Sequence, residues 1–193
     1  MSKLSIDDLH TLEAYSKVRS QFRAQVLDHK RHRKLPLGDH VTLLFEDRLT
    51  MQYQIQEMLR IERIFEESAI REELDAYNPL IPDGSNWKAT MLIEYPDEIE
   101  RREALRRLVN VEHNVWAQVG GGERSVAIAD EDLERSREEK TSSVHFLRFE
   151  LPNDAVAELK NGVALMIGID HPEYNIAVRA PDGLRESLIA DLD

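Results

Sequence analysis

The strongest constraint in this chain is a break in its pattern at Asn78-Pro79 and Pro82-Asp83-Gly84. Proline removes a backbone donor and pushes its predecessor away from helix, so two such breaks within seven residues end any continuous helical run. Before them the apolar residues recur at helical spacing. After them, short apolar runs alternate with turn residues and brief helical stretches. A chain built this way is α+β. The expected arrangement is a long-helix hairpin from residues 1–80, packed on a mixed β-sheet part with short helices from residues 87–193. The two parts are expected to form one cooperative unit.

In the first part, Ser5-Ile6-Asp7-Asp8 reads as a helix start, with Ser5 as cap and acids in the first turn. The helix is expected to run to about Lys34, where Leu35-Pro36-Leu37-Gly38 stops it. A second helix is expected over about 46–68 and a third over about 69–77. Past the break, 89–95, 143–151, 163–169 and 176–180 read as strands. Stretches 97–109, 153–160 and 184–192 read as helices. Residues 115–119 and 124–129 flank Gly120-Gly121-Gly122 as a hairpin.

Composition limits the function classes. Among 193 residues there is no cysteine, so thiolate catalysis, disulfides and Cys-ligated zinc or iron–sulfur centres within the chain are excluded. The formal net charge of −12 argues against nucleic-acid binding by the whole protein. That charge is uneven. Residues 1–80 hold 12 Lys/Arg against 14 Asp/Glu, a net of −2, so most of the negative charge lies beyond the break. The polar N-terminus has no apolar signal core, and no run of about 18 apolar residues could span a bilayer. The expected compartment is the cytoplasm.

Two charges interrupt apolar stripes. Projected at about 100° per residue, Glu62 falls about 20° from Met51, among Ile55, Met58 and Phe65. On the first helix Arg19 falls about 40° from Tyr15, within the stripe of Val18, Phe22 and Val26. Opposite charges on facing stripes suggest an Arg19–Glu62 pair. Such a pair is either a register-setting structural feature or, with Arg48, Gln54 and Glu57 nearby, the lining of a polar site. The basic run from His29 to Lys34 complements the dipole at a helix end; Lys30, Arg31, Arg33 and Lys34 could also form a patch for an acidic partner. Without interleaved aromatics it is poor evidence for nucleic acid.

Further candidates lie in the second part. His145 shares a strand face with Leu147 and Phe149, which fits a hydrogen-bonded core histidine, while the segment from Arg135 to His145 that enters the strand, densely charged at its start, is either solvated surface or a supply of donors at the strand mouth. His171, in Asp170-His171-Pro172, ends an apolar strand, a place favoured for sites and equally for tight turns. His145, His171 and a carboxylate could hold one metal ion. No His-Glu-x-x-His, Gly-x-Ser-x-Gly or phosphate-binding glycine loop occurs, and no pair of Glu-x-x-His motifs. No cofactor is required by the sequence.

Long stretches carry a resemblance. They are residues 40–48 (HVTLLFEDR), 54–64 (QIQEMLRIERI), 71–78 (REELDAYN), 136–149 and 170–174 (DHPEY). The chain resembles the uncharacterised bacterial family catalogued as domain of unknown function 3501, departing at Asp47, where asparagine is the expected residue. The resemblance assigns no catalytic residue. It implies a redox or oxidative-stress context, with rubrerythrin-like or iron–sulfur partner proteins. Two readings follow: an accessory protein docking on such a partner through its near-neutral helical part, or a small metal-dependent oxidoreductase or other enzyme. The second would place Arg19, Arg48, Glu57, Glu62, Lys140, His145 and His171 at the helix–sheet junction.

Overall fold

A computed structural model of the chain describes residues 2–132, 135–136 and 139–193. Helix α1 (Leu12–Arg31) leads into strands β1 (Lys34–Leu37) and β2 (Val41–Glu46), then helices α2 (Arg48–Glu62) and α3 (Glu67–Tyr77). Next come β3 (Asn86–Ile93), α4 (Glu98–Arg107), β4 (Val115–Val119), β5 (Arg124–Val126), β6 (Ile128–Ala129) and β7 (Val144–Glu150). Helix α5 (Asn153–Lys160), β8 (Leu165–His171), β9 (Tyr174–Arg179) and α6 (Asp182–Ile189) complete the order. The fold is α+β, with six α-helices and two sheets of antiparallel strands among the described residues. One sheet runs β1-β2-β3-β7-β6 and the other β5-β4-β8-β9.

Strands β1 and β2 depart from the expected helix stop. Lys34 and Pro36 face solvent while Leu35 and Leu37 are buried, a period-2 pattern. Pro36 is tolerated because β1 is an edge strand, where a missing donor costs no ladder bond. Gly38, at φ +74°, turns the chain into β2; a Cβ there would lie 2.8 Å from the Tyr174 hydroxyl. That hydroxyl donates to the Leu37 carbonyl at 2.5 Å and so ties β9 of one sheet to the β1–β2 turn of the other.

The helix starts also differ in detail. Ser5 opens a short 3-10 turn (Ile6–Asp8), with its backbone N–H on Asp8 Oδ2 at 2.8 Å. Thr11 caps α1 instead, accepting the Ala14 N–H at 3.2 Å. Asp47 caps α2, accepting the Thr50 N–H at 2.9 Å. Arg63, in the left-handed region at φ 57°, ends α2 well short of Ser68.

The inner faces of the two sheets share one core. Leu43, Phe45, Trp87, Met91 and Phe149 belong to the same buried cluster as Val115, Ala117, Leu165, Ile167 and Ile169, closed by Leu108 of α4, Leu159 of α5 and Leu188 of α6. A second, smaller core of Met51, Ile55, Leu59, Leu74 and Ile81 lies among the helices. No helix among the described residues is long and apolar enough to cross a membrane.

Arg33 joins these regions. Expected in an exposed basic patch, it is 2% exposed. Its Nε donates to the Phe45 carbonyl at 3.0 Å, Nη2 to the Glu46 carbonyl at 3.1 Å, and Nη1 to the Ser187 carbonyl and hydroxyl at 3.2 and 3.1 Å. It also pairs with Asp191, and with Asp47 at 3.4 Å. Burial raises the Asp191 carboxyl above its ordinary value while Arg33 pulls it back down. Desolvating a guanidinium costs several kcal/mol, and only such a full set of acceptors offsets it.

We propose that the helices and sheets unfold as one unit through this tie. Arg33→Met is expected to cost about 3–5 kcal/mol by urea denaturation, since it strands a buried carboxylate. Tryptophan fluorescence and circular dichroism should give coincident single transitions, before and after the change.

Candidate functional site

The residues expected at a single helix–sheet junction are dispersed. Arg19 pairs with Glu57 rather than Glu62: Nε and Nη2 donate to Oε1 and Oε2, both at 2.8 Å. The Tyr15 hydroxyl adds a third bond to Glu57 at 2.7 Å, and Arg60 a fourth at 3.2 Å. Glu62 is the last residue of α2 and is exposed. The projected stripe failed there because the helix stops, leaving Phe65 72% exposed. The true stripe is Met51, Ile55 and Leu59, with Glu57 on the flank facing α1.

Arg48 pairs with Asp8 at 2.5 Å, away from Glu57. Lys140 is exposed. His171 is satisfied by its turn: Nε2 bonds the Val109 carbonyl at 3.1 Å and Nδ1 accepts the Glu173 N–H at 3.2 Å. Of the basic run, Lys30 lies 5.9 Å from the centre of the Tyr53 ring, while Arg31 and Lys34 are exposed. Arg137 and Glu138, in the charged segment before β7, lie outside the described residues.

His145 alone of these stands in a cluster with chemical potential. It is fully buried on the inner face of β7, as its alternation with Leu147 and Phe149 predicts. Its Nδ1 bonds Asp130 Oδ2 at 2.6 Å. Its Nε2 lies 2.8 Å from Thr141 Oγ1, 3.0 Å from the Ser142 carbonyl and 3.9 Å from Glu112 Oε2. The Thr141 hydroxyl also bonds Ser136 Oγ at 2.7 Å and Glu112 Oε2 at 3.3 Å.

Local structure delivers these groups to the seam between the sheets. Ala127, between β5 and β6, donates its N–H to the Val115 carbonyl at 2.8 Å, where the chain leaves one sheet for the other. Asp130 follows β6 with φ 51°, a left-handed conformation that aspartate tolerates better than most residues. Its Oδ1 accepts the Phe146 N–H at 3.0 Å and faces Arg135 Nη1 at 3.3 Å. Glu112 sits in a 3-10 turn (Val111–Asn114), itself led by Asn110 at φ 67°. It is 1% exposed, and its Oε1 faces His113 Nε2 only at 3.7 Å. A cavity of about 150 Å³ opens here, lined by Asn110, Glu112, His113, Asp130, Arg135 and Ser136.

Among the described residues, Glu112, Asp130 and His145 form a group of three whose potential ligand atoms lie within 4.8 Å of one another. Glu112 and Asp130 were not among the residues expected from the sequence, whereas Ser136 and Thr141 lie in the segment expected to supply donors before β7. The one available signal was an acid directly after an apolar residue, as in Val111-Glu112 and Ala129-Asp130.

A protein-family model described as "Protein of unknown function (DUF3501)" matches residues 3–192. The chain belongs to this family. A crystal structure of a protein of unknown function from Burkholderia pseudomallei is similar over 100% of both chains, at 55% identity and a TM-score of 0.95. No curated protein matches. Family membership thus carries the fold across the whole chain and leaves the chemistry to the residues themselves.

The Arg19–Glu57 pair has its own consequence for acid stability. Arg19's hydrogen bonds, helped by Tyr15 and Arg60 and opposed by burial, lower the Glu57 carboxyl to about 2 from an ordinary 4.5. A depressed acid contributes stability that is complete above its unfolded pKa and is lost as pH falls through the folded one. Glu57→Gln should therefore destabilise the protein most above pH about 5, with the difference shrinking toward pH about 2 in thermal melts. A pH-independent difference would contradict this.

Proposed function

We propose that the protein binds one divalent transition-metal cation in the His145 pocket, and that this centre is the core of its activity. The observation that carries the reading is the sequence of contacts Asp130–His145–Glu112. A carboxylate on Nδ1 orients the imidazole so that Nε2 faces the ion, the arrangement common around metal-bound histidine. Two ligands at about 2.1 Å from an ion can stand at most about 4.2 Å apart, so the 3.9 Å between Nε2 and Glu112 Oε2 spans one. Thr141 and Ser136 hydroxyls and the Ser142 carbonyl supply further oxygens. An imidazole–carboxylate set suits zinc, iron(II) or manganese. The adjoining cavity leaves room for water or a small substrate. This supports the small metal-dependent enzyme reading, with the site moved from the helices to the seam between the sheets.

A second reading rests on a separate observation. Ile61 and Phe65, at the end of α2, are 61% and 72% exposed. Large apolar side chains held in water favour a protein contact. They support an accessory role on a partner, for which the family resemblance suggests a rubrerythrin-like or iron–sulfur protein in an oxidative-stress setting.

Titration of metal-free protein with manganese(II) or zinc(II) by calorimetry should give one site. His145→Gln and Glu112→Gln should each weaken it by more than tenfold, and Asp130→Asn by about 10–100-fold. Unchanged affinity in folded variants, or no binding at all, would overturn the cation reading. Loss of partner binding in Phe65→Asp, with metal binding intact, would favour the accessory role.

A further inference from the structure

A separate cavity of about 450 Å³ lies between the end of α3 with its following turn (Asn78–Leu80) and the outer face of β3 and β7. Ala76, Tyr77, Pro79, Leu80 and Phe146 give it apolar walls. A second cavity of about 390 Å³ adjoins it, and the two share Pro79, Lys88, Glu131 and Arg148. Lys88 therefore stands where they meet.

Lys88 occupies the middle of β3, opposite Glu46 on β2 and Arg148 on β7. Its neighbours Trp87 and Ala89 face the core, so its own side chain lies on the outer face, half-buried. The acids around it are committed elsewhere. Glu131 is held by Arg148 through two bonds of 2.8 Å, Glu150 also pairs with Arg148, and Glu46 accepts the Thr90 hydroxyl at 2.8 Å. Among the described residues no carboxylate forms an ion pair with Lys88. Burial also pulls the Lys88 ammonium below its ordinary pKa, a sign of the desolvation that an anion would relieve.

We infer that this groove binds a small amphipathic monocarboxylate, its carboxylate on Lys88 Nζ and its apolar body against Tyr77, Pro79, Leu80 and Phe146. The volume suits a ligand of that size, and an apolar lining with one placed charge is the usual form of such sites. Asp75 and Asp132 also line the groove. Asp132 is held by Arg135 through two bonds, while the exposed Asp75 carboxylate repels a second negative charge on a ligand, so a single one fits best.

Octanoate is a suitable probe, with 1-octanol as its uncharged counterpart. Calorimetry on the full chain should show one octanoate site, with octanol at least tenfold weaker. Lys88→Met should lower octanoate affinity at least tenfold without changing that for octanol, and Lys88→Arg, which keeps the charge, should retain most of it. Melting temperatures check that both variants fold, and Leu80→Gln, at the far wall, should weaken both ligands. Absence of octanoate binding, equal binding by Lys88→Met, or equal affinity for octanol would overturn the proposal. None of these outcomes depends on the cation pocket.

Discussion

The arrangement depends on one buried guanidinium. Arg33 closes α1, accepts a place beneath β2, and reaches the C-terminal segment after α6. Its partners come from two separate stretches of chain, 45–47 and 187–191, and its charge could not be buried without both of them. His29 extends the tie by pairing with Asp47 at 2.5 Å, and Asp47 in turn caps α2. An asparagine at 47 would keep the cap and remove the carboxylate that faces His29 and Arg33. One cation thereby fixes where α1 ends, where α2 begins and where the final helix rests on the sheet.

The rigid two-sheet core determines where a site can form. At the seam, the chain crosses from β5 to β6, and a 3-10 turn and a left-handed aspartate bring acids to a buried histidine. Buried acids beside a buried imidazole are costly unless they pair with one another or share an ion. Asp130 is well supplied, by His145, Phe146 N–H and Arg135. Among the described residues Glu112 has only longer contacts, with Thr141, His113 and His145 itself. That imbalance, in a pocket with open volume beside it, is the physical reason to place a cation there.

Much of the fold was legible from the sequence. Short apolar runs between turn residues marked β3, β7, β8 and β9, and alternation placed His145 on the inner face. The glycine run marked the β4–β5 hairpin, and α5 fell where expected, at Asn153–Lys160. Failures had local causes. Pro36 read as a stop because edge position, which makes it tolerable in a strand, is a property of the folded sheet. Glu62 was placed on an apolar face by extending a helix past its left-handed end at Arg63. Arg33 sat in a run of bases whose exposure differs residue by residue, which composition does not encode. The site was legible only through His145. Glu112 and Asp130 come 33 and 15 positions before it and meet it only through the crossing between sheets.

On the reading proposed above, Glu112 and His145 hold a metal ion and Asp130 orients the imidazole. Anomalous diffraction from crystals soaked in manganese(II) or zinc(II) tests it most directly. A peak is expected about 2.0–2.2 Å from His145 Nε2 and from a Glu112 oxygen, with Asp130 still on Nδ1. A pocket without a peak, with ion bound only at exposed carboxylates, would contradict it.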